Sequence, residues 1–347
     1  MRKCVFVCKS ISSVPNPTTK IIQCNSEENW NNFVKENCTL TPLSLNPSLG
    51  NIFQKTFNWE SKYLLIESES GTFTFFPFVL LKNKLVSLPH FSYGCVICEN
   101  KHESYNNKFL QQLKFELDNY SINKYEIRSF FKLSENVYTD KVISFINLND
   151  YNTVFFGFKS NLRRKIRKSV KNGLIIKHGK TELLNDFYKV LCENFHRLGS
   201  PVLPIAFFRN LLTDYKYGNS LIWVIYFNEK PIGSSFMLSY YGYFENIWLA
   251  SLKKYNHLYT SYLLNWSMIK YACDNNGDIF SFGRSSLNSG VHNYKKQWGA
   301  YDKQLYWNHS SQKKFNIRKQ SWMKELWKRI PLPIASLIGP YFAKRIY

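Results

Sequence analysis

Amphipathic helical segments and short β-rich runs alternate along the chain, and their order occurs twice. In each half, helices precede three consecutive β-rich runs, which are followed by a helix and further strands. Breaks at Gly71 and Asn83 separate the three runs of the first half. This order predicts an α+β fold in which one domain of mixed sheet and helices is duplicated in tandem, with the join near Asp150.

The periodicity of hydrophobic residues within each segment gives the predicted helices and strands. In the first half we predict helices from 26, at 47–57 and at 105–120, and strands at 20–24, 62–67, 72–81, 84–88, 125–128 and 142–147. In the second half we predict helices at 161–171, 182–198, 205–215, 259–275 and near 292–297, and strands at 174–177, 220–227, 232–240, 243–251, 279–282 and 304–308. The resulting division is an N-terminal extension (1–19), a first domain (20–150), a second domain (151–312) and a basic C-terminal segment (313–347).

The charge of the chain is concentrated in two segments. Its 46 Lys and Arg residues against 24 Asp and Glu residues give a net charge of +22. Residues 159–180 hold nine basic side chains and no acid, and residues 313–347 hold nine with Glu325 as the one acid. Concentrated charge of this kind favours a polyanionic partner, such as phosphates, a nucleic acid or an anionic membrane surface. The alternative is a solvated helix face and a basic tail.

Composition narrows the class of protein further. Hydrophobic residues make up 44% of the chain, which excludes an intrinsically disordered protein in spite of the charge. The apolar run at 330–343 is too short to span a bilayer and contains three prolines. Eight cysteines are too few for a disulfide scaffold, and the CxxC pair of Cys95 and Cys98 lacks the second pair of a zinc site. We therefore expect a cytoplasmic protein without a metal, at most peripheral to the inner face of the membrane.

Five sequence motifs occur in one order along the chain. Residues 161–173 read NLRRKIRKSVKNG and resemble the N-R-R-x-I-R-K-A-x-K-x-G helix of the FemAB-like acyltransferases. Residues 195–201, 282–285 and 294–299 are similar to the F-x-R-x-G-x-P, F-G-R-S and F-K-x-x-W-G motifs of the same family. Residues 88–95 are similar to its L-P-F-x-x-Y-G-G motif, although Cys95 replaces the last glycine.

The resemblance covers most of residues 20–310 and implies two GNAT-type domains in tandem. It also implies an acyltransferase that moves an aminoacyl group from aminoacyl-tRNA, or an acyl group from acyl-CoA, to an amine of a cell-envelope precursor. That precursor would be a lipid-linked or nucleotide-linked intermediate of peptidoglycan or exopolysaccharide, because residues 327–340 resemble the branch associated with exosortase and exopolysaccharide clusters. The alternatives are a CoA-dependent acetyltransferase of an exopolysaccharide sugar and a non-catalytic relative that binds polyanions or lipid. No tightly bound cofactor is expected.

Lys295 and Arg284 are the predicted catalytic residues. Lys295 matches the lysine of the late F-K motif and, by the resemblance, would face the oxyanion that develops during acyl transfer. Arg284 follows a predicted strand, where an arginine can bind a phosphate or a carboxylate through two parallel hydrogen bonds. The alternatives are an ordinary surface lysine and a structural ion pair of Arg284 with Asp278 or Asp302.

Predicted substrate-binding residues lie on the basic helix and in the later motifs. Leu162, Ile166 and Val170 recur at a spacing that buries one narrow stripe of helix 161–171 and presents its basic side chains to a polyanion. For this helix the alternative is a solvated face, and for Trp248 it is a place in the core. The predicted substrate-binding set consists of Arg163, Arg164, Arg167, Arg197, Trp248, Lys296 and Trp298.

Two further segments bear on the acyl donor and on membrane contact. Ordinary GNAT enzymes bind CoA through a Q/R-x-x-G-x-G/A loop, but the corresponding residues 253–259 contain no glycine. This departure counts against acyl-CoA as the donor in the second domain. The apolar residues of 315–330 share one helical face and have basic neighbours, which predicts either a peripheral membrane contact or a helix docked on the protein.

Overall fold

The computed structural model describes residues 20–23, 26–38, 41–67, 73–82, 84–94, 96–98, 118, 122–310 and 317–344. Contacts divide the chain into two compact units. The first unit comprises Met1–Val142 and Lys303–Lys313, and the second comprises Ile143–Asp302 and Lys314–Tyr347. The predicted extension 1–19, Cys95 and nearly all of the predicted helix 105–120 lie outside the described residues.

The elements occur in nearly the predicted order. The strands are β1 (Lys20–Gln23), β2 (Glu60–Glu67), β3 (Phe73–Leu81), β4 (Lys84–Val86), β5 (Val96–Cys98), β6 (Lys124–Ser129), β7 (Val137–Asn147), β8 (Ile175–Gly179), β9 (Ser220–Phe227), β10 (Lys230–Tyr240), β11 (Tyr243–Ser251), β12 (Ile279–Ser286) and β13 (Tyr301–His309). The helices are α1 (Glu27–Asn37), α2 (Ser48–Phe57), α3 (Tyr151–Gly157), α4 (Ser160–Lys171), α5 (Leu184–Arg197), α6 (Ile205–Asp214), α7 (Thr260–Asp274), α8 (Gly290–Lys296), α9 (Ile317–Arg329) and α10 (Leu332–Ala343).

The first unit contains a sheet with the strand order β1–β2–β3–β4–β6–β13, and β5 also pairs with β3. Strands β2, β3 and β4 form an antiparallel meander, and β6 pairs with β4 in parallel. Helices α1 and α2 precede the meander. Ser26 caps α1, because its side chain accepts a hydrogen bond from the backbone N–H of Asn29.

The second unit repeats this topology, with the strand order β7–β12–β11–β10–β9–β8. Strands β9, β10 and β11 form an antiparallel meander, and β12 pairs with β11 in parallel. Helices α5 and α6 precede this meander, as α1 and α2 precede that of the first unit. The same order in both units agrees with the duplication expected from the sequence.

The compact units do not follow the predicted boundaries at 150 and 312. Strand β13 comes after the second repeat in the sequence, but its residues from Lys303 onwards belong to the first unit, where they pair antiparallel with β6. Residues 143–150 belong to the second unit. The unit to which each of these segments belongs is therefore decided by strand pairing. A boundary drawn in the sequence assumes instead that each repeat keeps all of its own strands.

Side chains of the second sheet alternate between two helical layers. On β10, Met237 joins the apolar core that includes α4 and α7. Its neighbour Phe236 packs instead against Phe187 of α5 and Phe208 of α6, with ring centroids 5.5 and 5.6 Å away. Because successive side chains of a strand point to opposite faces, α4 and α7 cover one face of the sheet and α5 and α6 cover the other.

A β-bulge interrupts this alternation in β11. Ile247 has no partner in β10, because Asn246 and Trp248 pair with two consecutive residues of that strand. The extra residue places these two side chains on opposite faces. The Nδ2 atom of Asn246 donates to Asn265 on α7 over 3.1 Å, whereas the Trp248 ring lies edge-on to Phe208 on α6 at 5.1 Å.

Helix α4 buries Leu162, Ile166 and Ser169, while Val170 is 60% exposed. The predicted burial of Val170 is therefore wrong. Ser169 lies seven residues after Leu162, which is nearly two full turns, and Val170 is rotated by about a further 100°. The hydroxyl of Ser169 donates to the carbonyl of Ile166 over 2.6 Å, which satisfies the buried polar group. Ser160 is the first residue of the helix, and no side chain caps the N-terminus of the helix.

Helices α9 and α10 both contact α5. At the turn between them, Nε2 of His196 on α5 lies 2.7 Å from the carbonyl oxygen of Ile330. In the described part of the chain, no helix combines the length and the apolar character needed to cross a membrane.

A buried ion cluster lies in the first unit. The carboxylate of Glu126 accepts hydrogen bonds from Nη2 of Arg128 and from Nζ of Lys84, each over 2.7 Å. The Arg128 side chain is 2% exposed, and its Nη1 donates to the carbonyl of Phe91 over 3.1 Å. Burial acts to raise the pKa of Glu126, but Arg128 and Lys84 outweigh it and hold the pKa well below its usual range.

We predict that Arg128→Met lowers the free energy of unfolding by about 3–5 kcal/mol, because it removes a cation from a buried carboxylate. Urea unfolding followed by tryptophan fluorescence measures the change. Lys132→Met is the matched control, since Lys132 and Glu135 form an exposed ion pair in the same unit. The control should lose less than about 1 kcal/mol. Equal losses in the two variants would contradict a special role for the buried cluster.

Candidate active site

Strands β11 and β12 diverge within the second sheet. They pair in parallel only as far as Glu245 and Ser281, although β11 continues for six more residues and β12 for five. The bulge at Ile247 comes just after the last pair. Ligands commonly bind beyond the carboxyl ends of parallel strands, where such a separation leaves room. The wedge between the ends of β11 and β12 is therefore the candidate active site.

Lys295 of α8 brings its amino group to the end of β12. Its Nζ donates to the carbonyl of Gly283 over 2.6 Å and to that of Arg284 over 2.9 Å, and the residue is 5% exposed. Gly283 has a φ of +70°, a backbone conformation that other residues rarely adopt. The two carbonyls occupy two of the four tetrahedral positions around Nζ, and the side chain takes a third. The fourth position carries a hydrogen in the ammonium form and a lone pair in the amine form.

Burial lowers the pKa of Lys295 from its ordinary value to about 7. The carboxylate of Glu245 opposes this shift, the guanidinium of Arg284 adds to it, and the carboxylate of Asp302 opposes it. Glu245 is itself buried and accepts a hydrogen bond from the hydroxyl of Tyr243 over 2.6 Å. Both protonation states of Lys295 are therefore populated near neutral pH, as a group that takes up and returns a proton requires.

A chain of buried hydrogen bonds runs from the bulge to α8. The hydroxyl of Ser235 donates to Oδ1 of Asn246 over 2.6 Å, and Asn246 donates to Asn265 as described above. Nδ2 of Asn265 then donates to the hydroxyl oxygen of Tyr294 over 3.0 Å. The hydroxyl of Tyr294 donates in turn to the carbonyl of Ser261 over 3.1 Å. Burial raises the pKa of Tyr294, so its hydroxyl stays protonated and fixes α8 directly before Lys295.

His292 fastens α8 to Asp302. Its Nδ1 accepts a hydrogen bond from the backbone N–H of Asn288 over 3.0 Å, which assigns the proton to Nε2. Nε2 donates to Oδ2 of Asp302 over 2.9 Å, and Ser144 donates to the other oxygen over 2.7 Å. Burial acts to raise the pKa of Asp302, but the hydrogen bonds from His292, Ser144 and Lys296 lower it. With both ring nitrogens engaged, His292 is a positioning residue.

The basic helix α4 is tied to the segment that follows α8. Nζ of Lys165 donates to the hydroxyl of Tyr262 over 3.1 Å and to Oε1 of Gln297 over 2.8 Å. The Tyr262 hydroxyl also donates to Oε1 of Gln297, over 2.9 Å. Gln297 directly follows α8, so α4 and the helix of Lys295 are held by one network.

Four basic side chains of α4 are exposed: Arg164, Arg167, Lys168 and Lys171. The guanidinium of Arg167 lies 5.5 Å from the ring centroid of Phe155, and Nζ of Lys168 lies 5.5 Å from that of Tyr259. Among the residues that the structure describes, none of these four cations forms an ion pair. A polyanion that contacts this face would relieve the repulsion between them.

Four of the predicted site residues lie close together: Lys295, Arg284, Lys296 and Trp298. Arg284 contributes its carbonyl to Lys295 and is half-buried. Lys296 is exposed and donates to the carbonyl of Ala300 over 3.0 Å and to Asp302 over 3.2 Å. Trp298 is 1% exposed, and its ring centroid is 5.7 Å from that of Phe282.

Arg163, Arg197 and Trp248 are not brought to the wedge. The guanidinium of Arg163 lies half-buried on α4, 5.9 Å from the centroid of Phe156. Arg197 ends α5 and donates to Oδ1 of Asn194 over 2.8 Å. The bulge in β11 turns Trp248 into the aromatic core that contains α6, on the face opposite Asn246.

Sequence reasoning missed Glu245, Asn246, Asn265 and Tyr294. Two of them carry a readable signal, because Glu245 is the one acid of β11 and Asn265 interrupts the apolar face of a helix. Asn246 and Tyr294 have no such signal, since their roles depend on the bulge and on the packing of α8. Across the described residues, His, Cys, Asp and Glu side chains form no group of three that would hold a metal ion.

Residues 253–259 form a 3₁₀ helix, Lys253–Leu258, followed by Tyr259 in the left-handed conformation with φ +61°. Nδ2 of Asn172, at the end of α4, donates to the carbonyl of Leu258 over 3.2 Å. A glycine-rich loop would present bare backbone N–H groups at this place. Residues 253–259 instead carry side chains there and contact α4.

Comparison with known proteins supports the family resemblance. Residues 157–296 match the family model described as an acetyltransferase (GNAT) domain. This range begins just before α4 and ends with α8, so it includes the basic helix, the meander and Lys295. Among curated protein sequences, none is significantly similar to this chain.

Solved structures share the fold over most of the chain. FemX is 11% identical with a TM-score of 0.62, and the match covers 83% of this chain and 96% of that structure. A tandem GNAT protein from the clavulanic acid biosynthesis pathway is 7% identical with a TM-score of 0.55, covering 85% and 99%. L-PGS from Bacillus licheniformis is 12% identical with a TM-score of 0.51, covering 88% and 98%. At these identities the likeness concerns the fold.

The structural matches confirm the predicted α+β fold of two tandem GNAT-type domains. The family match confirms the GNAT part of the resemblance over residues 157–296. The chain therefore has the fold of two tandem GNAT-type domains, and its residues 157–296 match the acetyltransferase (GNAT) domain family.

Proposed function

We propose that this protein transfers an aminoacyl or acyl group from a phosphate-bearing donor to an amine of a cell-envelope precursor, in the cytoplasm. The acceptor would be a lipid-linked or nucleotide-linked intermediate of peptidoglycan or exopolysaccharide. The observation that carries the proposal is Lys295, a buried amino group held by two carbonyls at the end of β12 with a pKa of about 7. Neutral amines attack acyl groups, and such a lysine can manage the proton that this reaction moves.

The reaction needs one proton to pass from the attacking nitrogen to the leaving group. The acceptor amine attacks the acyl carbon and forms the C–N bond, while Lys295 in its amine form takes the proton from that nitrogen. The resulting ammonium, with Arg284 nearby, stabilises the oxyanion of the tetrahedral intermediate. When the intermediate collapses, the C–O bond of a tRNA ester or the C–S bond of a CoA thioester breaks. Lys295 then returns the proton to the departing oxygen or sulfur.

Two features favour aminoacyl-tRNA as the donor over acyl-CoA. The exposed cations of α4 have no ion-pair partners among the described residues and suit a phosphate backbone. Tyr259 and its neighbours occupy the place where a CoA-binding loop would need glycine. Acyl-CoA remains the alternative donor, and incubation with each labelled donor in turn shows whose label reaches the acceptor.

We predict that Lys295→Ala lowers kcat/KM for transfer by about 10²–10⁴-fold, because the proton carrier is lost. Lys295→Arg should be equally impaired, since an arginine keeps the charge but does not give up its proton near neutral pH. In the wild type, kcat/KM should rise as the pH increases through about 7, because Lys295 must be deprotonated to accept a proton. Transfer of label from aminoacyl-tRNA to an amine acceptor measures all three.

Lys270→Ala is the matched control for these variants. Lys270 is an exposed lysine of the same unit that pairs with Asp274, and its loss should leave kcat/KM unchanged. Full activity in Lys295→Ala would show that Lys295 is not catalytic. Substantial activity in Lys295→Arg would mean that positive charge alone is sufficient.

Glu245→Gln should move the rising limb of the pH profile to lower pH. The negative charge of Glu245 raises the pKa of Lys295, so its removal lets that pKa fall further. Glu229→Gln, which changes an exposed acid between β9 and β10, is the control and should leave the profile in place. If the rising limb of the pH profile stayed in place in Glu245→Gln, Glu245 would not act on the group that titrates. If this variant lost all activity, Glu245 itself would be essential for the reaction.

The double variant Arg164→Ala/Arg167→Ala should raise the KM for aminoacyl-tRNA by about tenfold or more and flatten its salt dependence, with little change in kcat. Lys189→Ala/Lys230→Ala removes the same charge from exposed positions of the same unit and should leave KM unchanged. Equal effects of the two double variants would mean that the α4 face has no specific role. RNA binding without transfer from either donor would identify a non-catalytic relative.

A further inference from the structure

Helices α9 and α10 carry an apolar face that the rest of the described chain leaves exposed. Leu337 is 80% exposed and Trp322 is 55% exposed, although both are large apolar residues. Neighbouring large apolar side chains that are exposed together commonly mark a site of contact with a partner or a membrane. We call this surface the outer apolar face, which consists of Trp322, Met323 and Leu326 on α9 and Ile334, Leu337 and Tyr341 on α10.

Helix α10 docks through small residues on its opposite side. Ala335, Gly339 and Ala343 are buried and recur every four residues, so they form one stripe. A Cβ atom at Gly339 would lie 3.1 Å from the backbone nitrogen of Val202, which shows how closely the helix approaches the protein. At about 100° per residue, the members of the outer apolar face on α10 lie on the side opposite this stripe.

Helix α9 also turns its inner side to the protein. A Cβ atom at Gly199 would lie 2.7 Å from the backbone oxygen of Lys324, and Gly199 has a φ of +72°. Trp322 and Leu326 lie two residues before and after Lys324, which rotates both of them by about 200° from that contact. They therefore point away from the protein.

The two helices are fixed in this arrangement. His196 holds the turn between them through the carbonyl of Ile330, and the rings of Trp327 and Phe342 meet edge-on at 5.7 Å. Both helices contact α5 by their inner sides, so their apolar stripes face outward together. The outer apolar face is thus a preformed part of the fold.

The surroundings of this face are basic. Residues 322–344 contain four basic side chains against Glu325 as the one acid, a net charge of +3. Glu325 pairs with Lys328 over 2.6 Å. Two copies of the chain that met through this face would bring like charges together, whereas an anionic surface would be attracted to it.

Its size and composition suit the surface of a bilayer. Helix α10 has 12 residues, so it is about 18 Å long and too short for a hydrocarbon core of about 30 Å. Trp322 and Tyr341 are of the residue types that favour the boundary between headgroups and acyl chains. An amphipathic helix with basic neighbours binds in the plane of that boundary.

We propose that the outer apolar face binds the surface of a bilayer that contains anionic phospholipid. The apolar side chains enter the boundary between headgroups and acyl chains, and Arg329 and Lys344 contact the phosphates. Membrane binding of this kind does not depend on the proposed transfer reaction, so each can fail without the other.

Flotation of the full-length protein with phosphatidylcholine vesicles, with and without phosphatidylglycerol, tests the proposal. The wild type should float with the anionic vesicles, and Trp322→Glu/Leu337→Glu should bind them at least about tenfold more weakly. The matched control is Ile175→Glu/Leu287→Glu, which changes exposed apolar residues elsewhere in the same unit and should float like the wild type. Thermal unfolding confirms that each variant is folded.

A second pair of variants tests the charges. Arg329→Glu/Lys344→Glu should weaken binding to anionic vesicles by about tenfold or more, whereas Lys189→Glu/Lys230→Glu should not. Failure of the wild type to float, or equal losses in the variants and their controls, would overturn the proposal. Sedimentation without lipid gives another test: a dimer that Trp322→Glu/Leu337→Glu converts to a monomer would assign the face to a second copy of the chain instead.

Discussion

The separation of β11 from β12 is the constraint on which the candidate site depends. After Glu245 and Ser281 the two strands no longer pair, and the carbonyls of Gly283 and Arg284 take their hydrogen bonds from Lys295 instead. A charged amino group in that place loses most of its water, which brings its pKa near neutrality. One backbone arrangement thus positions the lysine and also sets its protonation equilibrium.

The short helix that carries Lys295 is held from three directions. A seven-residue helix is marginal by itself, so its position depends on tertiary contacts. His292 ties it to Asp302, Tyr294 ties it to Asn265, and Gln297 beyond its end binds Lys165 of the basic helix. The basic helix and the lysine therefore form one rigid assembly, as positioning of a donor against a reactive group would require.

Local patterns in the sequence were sufficient for the order of elements, because strands and helices of this chain have clear periods. The motifs were also sufficient to predict Lys295 and Arg284 as residues of one site. Val170 was misplaced because a residue eight positions after Leu162 falls outside a stripe of period 3.6. The place of β13 in the first unit and the roles of Asn246 and Tyr294 depend on pairing and packing between distant segments, which a single sequence does not encode locally.

The bulge in β11 has a consequence for comparing this chain with its relatives. Asn246 joins the polar chain and Trp248 joins the aromatic core because one unpaired residue, Ile247, stands between them. If Ile247 paired with β10 in a regular ladder, Asn246 and Trp248 would lie on the same face of the sheet. If Ile247 were deleted, both would keep their present environments, because adjacent residues of a regular strand point to opposite faces. At this end of the strand, the number of residues matters more than their identity. A relative without the bulge needs a gap opposite Ile247, and an alignment without that gap would match side chains from opposite faces of the sheet.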